Sequence, residues 1–171
     1  MSDPRWHLAQ LNVGRLVAPV GSDVIAGFRE RLDPINALAD ADPGLVWRLQ
    51  TEDGNATSIR PTEDDLFLIN MSVWRSIEAL RAFTYTSAHT AVLRQRRSWF
   101  EQLAVAHLVL WWVPAGHVPT VDEAMDRLDH LRTHGPTAVA FTFRAPFTPE
   151  ALDPGEPLVD AEFCWPLPTA V

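Results

Sequence analysis

The chain has 171 residues, 47% of them hydrophobic, which fills the core of one domain and excludes a disordered chain. A net charge of -8 excludes the basic field wanted by nucleic acid or an anionic membrane, so neither is expected as a partner. Cys164 is the lone cysteine, and no signal peptide or long apolar span is visible, so a reducing cytoplasm is the expected location.

Trp6 to Val13 reads as a first strand, with Ala9, Leu11 and Val13 on an apolar face and Leu8, Gln10 and Asn12 on the other. After Pro19 and Gly21, Ser22 caps a helix whose Val24, Ile25, Phe28, Leu32, Ile35 and Leu38 recur at three-to-four spacing. Pro34 is expected to kink or restart that helix at Asp33. Asp42-Pro43-Gly44 is a turn, Leu45 to Thr51 a second strand, and Glu52 to Asp65 a long hairpin connection.

Leu66 to Trp74 is the central strand. Phe67, Ile69, Met71 and Val73 give it one wholly apolar face, which suits packing on helices. Its other face starts apolar and then turns to Asn70, Ser72 and Trp74. A face of amide, hydroxyl and indole suits the wall of a cavity better than bulk water or a dry core. Ser76 starts a short helix through Ile77, Leu80 and Phe83, interrupted at Tyr85 and Thr86. A second helix is predicted from about Ser87 to Gln102, with His89, Leu93, Arg97 and Phe100 on one face and Val92, Arg96 and Trp99 on the next.

His107 to Val113 is a further strand that points Trp111 and Trp112 to opposite faces. Thr120 and Glu123 form a capping box for a helix to Thr133, closed by Gly135 and Pro136, and Thr137 to Arg144 is the last predicted strand. This order is the split βαβ pattern of a ferredoxin-like α+β sandwich with an extra helix and strand. Residues 1–145 form that domain. Residues 146–171 form a Pro-rich C-terminal arm that lies on this domain or on a partner subunit. Such a sheet carries helices on one face only, so its apolar second face is expected to be buried against a second copy, giving a homodimer.

The run from Ser72 to Tyr85, then His89, Arg97-Ser98-Trp99-Phe100, Leu110-Trp111-Trp112-Val113-Pro114-Ala115-Gly116-His117 and Ala140-Phe141-Thr142-Phe143 resembles an uncharacterised bacterial family catalogued only as a domain of unknown function. The likeness spans roughly Trp6 to Pro149. That family is similar to the dimeric α+β barrel superfamily, which includes antibiotic-biosynthesis monooxygenases and heme-degrading monooxygenases. The resemblance implies a dimeric α+β barrel, but a shared fold does not fix chemistry.

Asn70 and Trp74, four apart, match an Asn–Trp pair on the equivalent strand of the antibiotic-biosynthesis enzymes. The resemblance implies a cofactor-free reaction, without metal or flavin, in which an enolate or phenolate gives an electron to oxygen. In such a site Asn70 donates to the developing oxyanion, Trp74 stacks on the ring, His89 takes the proton and Arg97 holds an anionic group. Asn12, Ser72, Tyr85, Trp99, Trp111 and His117 are assigned to binding the substrate. The alternative is structural, with Asn70 satisfying a loop, Trp74 in a dimer core and His117 capping the next helix. A heme protein is a further alternative, because the order of Asn12, Trp74 and His89 resembles heme-degrading relatives and implies an axial His89. His130 and His134 lack a third ligand, so no metal is expected. The functional expectation is a cofactor-independent monooxygenase, or an isomerase or cyclase working by proton transfer, acting on an apolar, ring-containing small molecule of secondary metabolism. Against it stands a carrier that binds such a molecule without turnover.

Overall fold

The computed structural model describes residues 5–85 and 94–152. Four strands, β1 (Trp6–Arg15), β2 (Leu45–Arg48), β3 (Phe67–Trp74) and β4 (Leu108–Pro114), form one sheet in the order β2-β3-β1-β4. All three pairings are antiparallel. With helices α1 (Ala26–Asp40) between β1 and β2 and α2 (Ile77–Thr84) between β3 and β4, this is the ferredoxin-like α+β arrangement. A further helix, α3 (Val121–His134), follows β4.

Register follows from the alternation in the strands. Pairing Leu8 with Trp74, Gln10 with Ser72 and Asn12 with Asn70 puts the apolar members of both strands on the opposite face. That face, made by Ala9, Leu11, Val13, Ile69, Met71, Val73, Val109, Trp111 and Val113, is buried under Ala124, Leu128 and Leu131 of α3, with Trp47, Leu49, Ile59 and Leu103 packed around it. The sheet therefore carries helices on both faces, contrary to the one-sided arrangement expected from sequence. The chain covers its own apolar face, and burying it does not require a second copy. Each leucine that α3 buries there is worth about 1.5–3 kcal/mol.

Helix α1 is one unbroken helix through Pro34, not two pieces restarting at Asp33. Proline loses only one rung, the bond to the Glu30 carbonyl, and Pro34 itself is exposed, so its ring meets no neighbouring layer. Ser22 caps a 3-10 turn (Asp23–Ile25) that leads into α1, and Ser76 Oγ accepts from Ala79 N at 3.1 Å to start α2. Strand β2 ends at Arg48, shorter than predicted, after a register shift between Leu45 and Trp47. Gly135 adopts φ 72° to end α3, a conformation costly for residues with a Cβ.

Two predicted elements differ. The strand over 137–144 is reduced to a single bridge in which Leu110 and Phe141 exchange backbone hydrogen bonds at 2.9 and 2.8 Å. A turn from Thr137 to Ala140 precedes it and another from Thr142 to Ala145 follows, so the chain lies beside β4 for only one pair. The helix predicted to reach Gln102 does not: Arg96–Ser98 is a 3-10 turn, and Phe100 then bridges to Leu16. The contact with β1 outweighs the helical periodicity. Of the predicted arm, the described part packs on the domain, with Phe147 and Leu152 against the Trp6, Leu8 and Trp112 cluster.

Candidate functional site

The second sheet face, running through Leu8, Gln10, Asn12, Gly14, Leu68, Asn70, Ser72 and Trp74, is roofed by α1 and α2. Phe28, Leu32, Ile35 and Ala39 of α1 and Leu80 and Phe83 of α2 stand over it, enclosing a cavity of about 420 Å³. Sheet and roof do not close together because amides and hydroxyls occupy sheet positions where apolar side chains would interdigitate. Tyr85, 67% exposed, stands at the mouth.

A directed row of hydrogen bonds runs along the floor. Trp74 Nε1 donates to Ser72 Oγ at 2.8 Å, and Gln10 Nε2 donates both to the same oxygen at 2.9 Å and to Asn70 Oδ1 at 2.8 Å. An indole N–H only donates, so Ser72 Oγ is an acceptor twice over and its own proton must point elsewhere. Asn70 uses its oxygen, which leaves its amide protons for the cavity. Trp74 is 1% exposed and its ring lies 5.0 Å from that of Phe83, which fixes the row at one end.

The other end of the cavity is cationic. Arg31 from α1 sits 5.2 Å above the Trp99 ring, and Arg96 lies 5.6 Å from the Phe100 ring. Phe28 joins the two rings, 6.1 Å from Trp99 and edge-on to Phe100 at 5.1 Å. Phe100 reaches β1 because Gly14 has no side chain there; a Cβ would lie 2.6 Å from the ring. Arg96 is bound to the Val13 carbonyl at 3.3 Å, and burial lowers its pKa. His107, just before β4, also lines this end. Its pKa is lowered by burial first and by the Arg96 charge next, with a backbone hydrogen bond at Val105 opposing and Arg132 adding a little more. Burial and the Arg96 charge both disfavour the protonated form here.

Of the residues assigned from sequence, Asn12, Asn70, Ser72, Trp74, Tyr85 and Trp99 all line this one cavity. Three others do not. Trp111 is fully buried on the opposite face, where its Nε1 donates to Glu123 Oε1 at 3.0 Å. Strand alternation puts Trp112, not Trp111, on the cavity side of the sheet. His117 Nε2 lies 2.7 Å from Glu123 Oε2 at the start of α3, away from the cavity, and the cap of that helix is Thr120, whose side chain accepts from Glu123 N. Arg97 is exposed and outside the cavity, because the 3-10 turn, unlike a continuous helix, turns Arg96 inward in its place. His89 lies outside the described residues. His130 stacks on His134 at 4.4 Å and reaches Thr137 Oγ1 at 3.0 Å, and among the described residues no group of metal-binding side chains is assembled.

Sequence reasoning missed Gln10, Arg31, Arg96 and His107. Gln10 had a signal: it shares β1 alternation with Asn12, and antiparallel pairing aligns both with the polar residues of β3. Arg31 had one too, three residues after Phe28 and beside Leu32 on the apolar face of α1. His107 carried none beyond its place at a strand end.

Solved structures similar to this one include Rv0793 from Mycobacterium tuberculosis, at 13% identity and a TM-score of 0.43, covering 67% of this chain and 98% of that one. SnoaB, a cofactor-independent oxygenase from Streptomyces nogalater, is similar at 14% identity and a TM-score of 0.42, covering 67% and 96%. PA3566 from Pseudomonas aeruginosa follows at 12% identity and a TM-score of 0.41, covering 70% and 99%. No curated protein matches the chain. The family described as Domain of unknown function (DUF3291) matches residues 7–156, most of the chain and every element of the sheet, and the chain belongs to that family.

Proposed function

We propose that the protein is a cofactor-independent enzyme acting on an apolar, ring-bearing small molecule, with monooxygenation as its reaction. The observation that carries this reading is the hydrogen-bond row from Trp74 through Ser72 and Gln10 to Asn70. It leaves the Ser72 hydroxyl proton and the Asn70 amide protons uncommitted within the row, available as donors to negative charge developing on a substrate oxygen. The apolar roof suits a flat ring. His107 stands as the proton acceptor for an acidic C–H or phenol, and the enolate so formed gives an electron to oxygen. Recombination at carbon makes a hydroperoxide, and loss of water from it leaves a new carbonyl. The spacing of Asn70 and Trp74, which resembles that of antibiotic-biosynthesis monooxygenases, points the same way.

Anthrone, an enolisable three-ring ketone, is a direct probe, because its oxidation consumes one oxygen molecule and yields anthraquinone and water. Wild-type protein is expected to accelerate oxygen uptake with anthrone. Asn70→Ala is expected to slow it by about 10²-fold while leaving binding intact. Binding of anthrone without oxygen uptake by the wild type would overturn the enzymatic reading in favour of a carrier.

A further inference from the structure

The chain is acidic, yet its cavity is not. Arg31, Arg48, Arg96 and His107 line it, and among the described residues no Asp or Glu does. With 22 acidic residues against 14 arginines in the sequence, this is the reverse of what the overall composition would place there. Arg48 is already neutralised, since Asp40 takes its Nε at 2.7 Å and its Nη2 at 2.9 Å. Arg31 and Arg96 are different. Arg31 holds the Gly27 carbonyl at 2.6 Å and Arg96 the Val13 carbonyl, and neither has a carboxylate partner among the described residues. A half-buried guanidinium bound only to a carbonyl keeps most of its five donors unused and gives up hydration without a counter-charge.

Both cations flank one aromatic cluster of Phe28, Trp99 and Phe100, so they converge on one end of the cavity. The neighbouring Trp99 and Phe100 rings lie against the guanidinium groups, and restricting them lowers the entropy lost when an anion is gripped. Arg96 holds Val13, the residue after Asn12, and Asn12 pairs with Asn70. The Arg96 end of the cavity is therefore next along the sheet to the Asn12–Asn70 pair.

We propose that Arg31 and Arg96 bind the carboxylate of the substrate, so that the molecules taken up are aromatic or polycyclic carboxylic acids with the charge at one end and the reacting ring over Asn70 and Ser72. The planar fork of each guanidinium matches a carboxylate, and the apolar remainder of the cavity selects against small inorganic anions, which would leave it unfilled. This assignment rests on the reading of the cavity as a substrate site, but it is tested by binding alone.

Anthracene-2-carboxylate and anthracene-2-carboxamide have the same shape and differ in charge, and the fluorescence of both reports binding. At neutral pH the carboxylate is expected to bind at least about tenfold more tightly than the amide. Arg31→Gln and Arg96→Gln should each reduce that preference several-fold, and the double variant should abolish it. Amide binding should fall far less than carboxylate binding in all three, and unchanged far-UV circular dichroism reports that the variants are still folded. Equal affinity for the two probes in the wild type, or a preference that survives the double variant, would overturn the proposal. A charge preference without oxygen uptake on anthrone would leave the anion site standing and remove the enzymatic reading, so the two failures are distinguishable.

Discussion

The indole nitrogen of Trp74 and the hydroxyl of Ser72 lie 2.8 Å apart on the same face of β3, both buried, and the hydroxyl oxygen is shared with Gln10. Removing that oxygen strands two donors at once. Ser72→Ala is therefore expected to cost about 1–3 kcal/mol of unfolding free energy, the penalty for orphaned buried donors. Urea denaturation measures it, and a loss below about 0.5 kcal/mol would mean that water in the cavity replaces the hydroxyl.

Gly14 tests how closely the aromatic cluster is fitted to the sheet. Its backbone is ordinary strand, so any cost of Gly14→Ala comes from the Phe100 ring, which would stand 2.6 Å from the new Cβ. A destabilisation of about 1–3 kcal/mol is expected from overpacking. Combining it with Phe100→Leu should recover part of that loss. Strict additivity of the two changes in thermal unfolding would rule the contact out.

Acid should weaken the fold through its histidines. Burial leads the causes that hold His7, His107 and His130 below the ordinary value of 6.5, and the Nδ1 of His7 is buried without a partner. Below that pH the unfolded chain binds more protons than the folded one, so stability is full above about 6.5 and falls as the pH drops through the folded values. His107→Gln should flatten this slope over pH 8 to 5, measured as the urea midpoint. A slope that steepens, or a fold that gains stability in acid, would contradict the assignment.

Glu123 joins three parts of the far face: it accepts from Trp111 Nε1 at 3.0 Å and from His117 Nε2 at 2.7 Å, and its own N–H is capped by Thr120 Oγ1 at 3.1 Å. Glu123→Ala leaves the Trp111 N–H buried without an acceptor and should cost about 1–3 kcal/mol. His117→Ala loses only a pair whose histidine side chain is 42% exposed, with an expected cost of at most about 1 kcal/mol. Equal effects in thermal unfolding would show that the pair, not the indole, is what Glu123 serves.

Arg97 and Arg96 are adjacent in sequence and opposite in placement. Arg97→Gln is expected to leave the binding of anthracene-2-carboxylate unchanged within error. A loss matching that of Arg96→Gln would mean that the turn presents both cations to the cavity.

The sequence by itself determined the strand alternation, and with it which face of the sheet would be apolar and which would carry Asn12, Asn70, Ser72 and Trp74. Period two is a local property, so these residues were legible before any contact was known. The caps at Ser22, Ser76 and Thr120 were legible for the same reason, each being a short-range bond between a side chain and its own backbone. Tertiary structure decided the rest. Whether α3 lies on the helical or the bare side of the sheet depends on how the chain leaves β4, and that choice buried Trp111 away from the cavity. The bridge from Phe100 to Leu16 ended a helix that periodicity would have prolonged, and so exchanged Arg97 for Arg96 at the site. The gathering of Arg31, Arg96 and His107 from three separate segments is a long-range event. No spacing within any one of those segments encodes it.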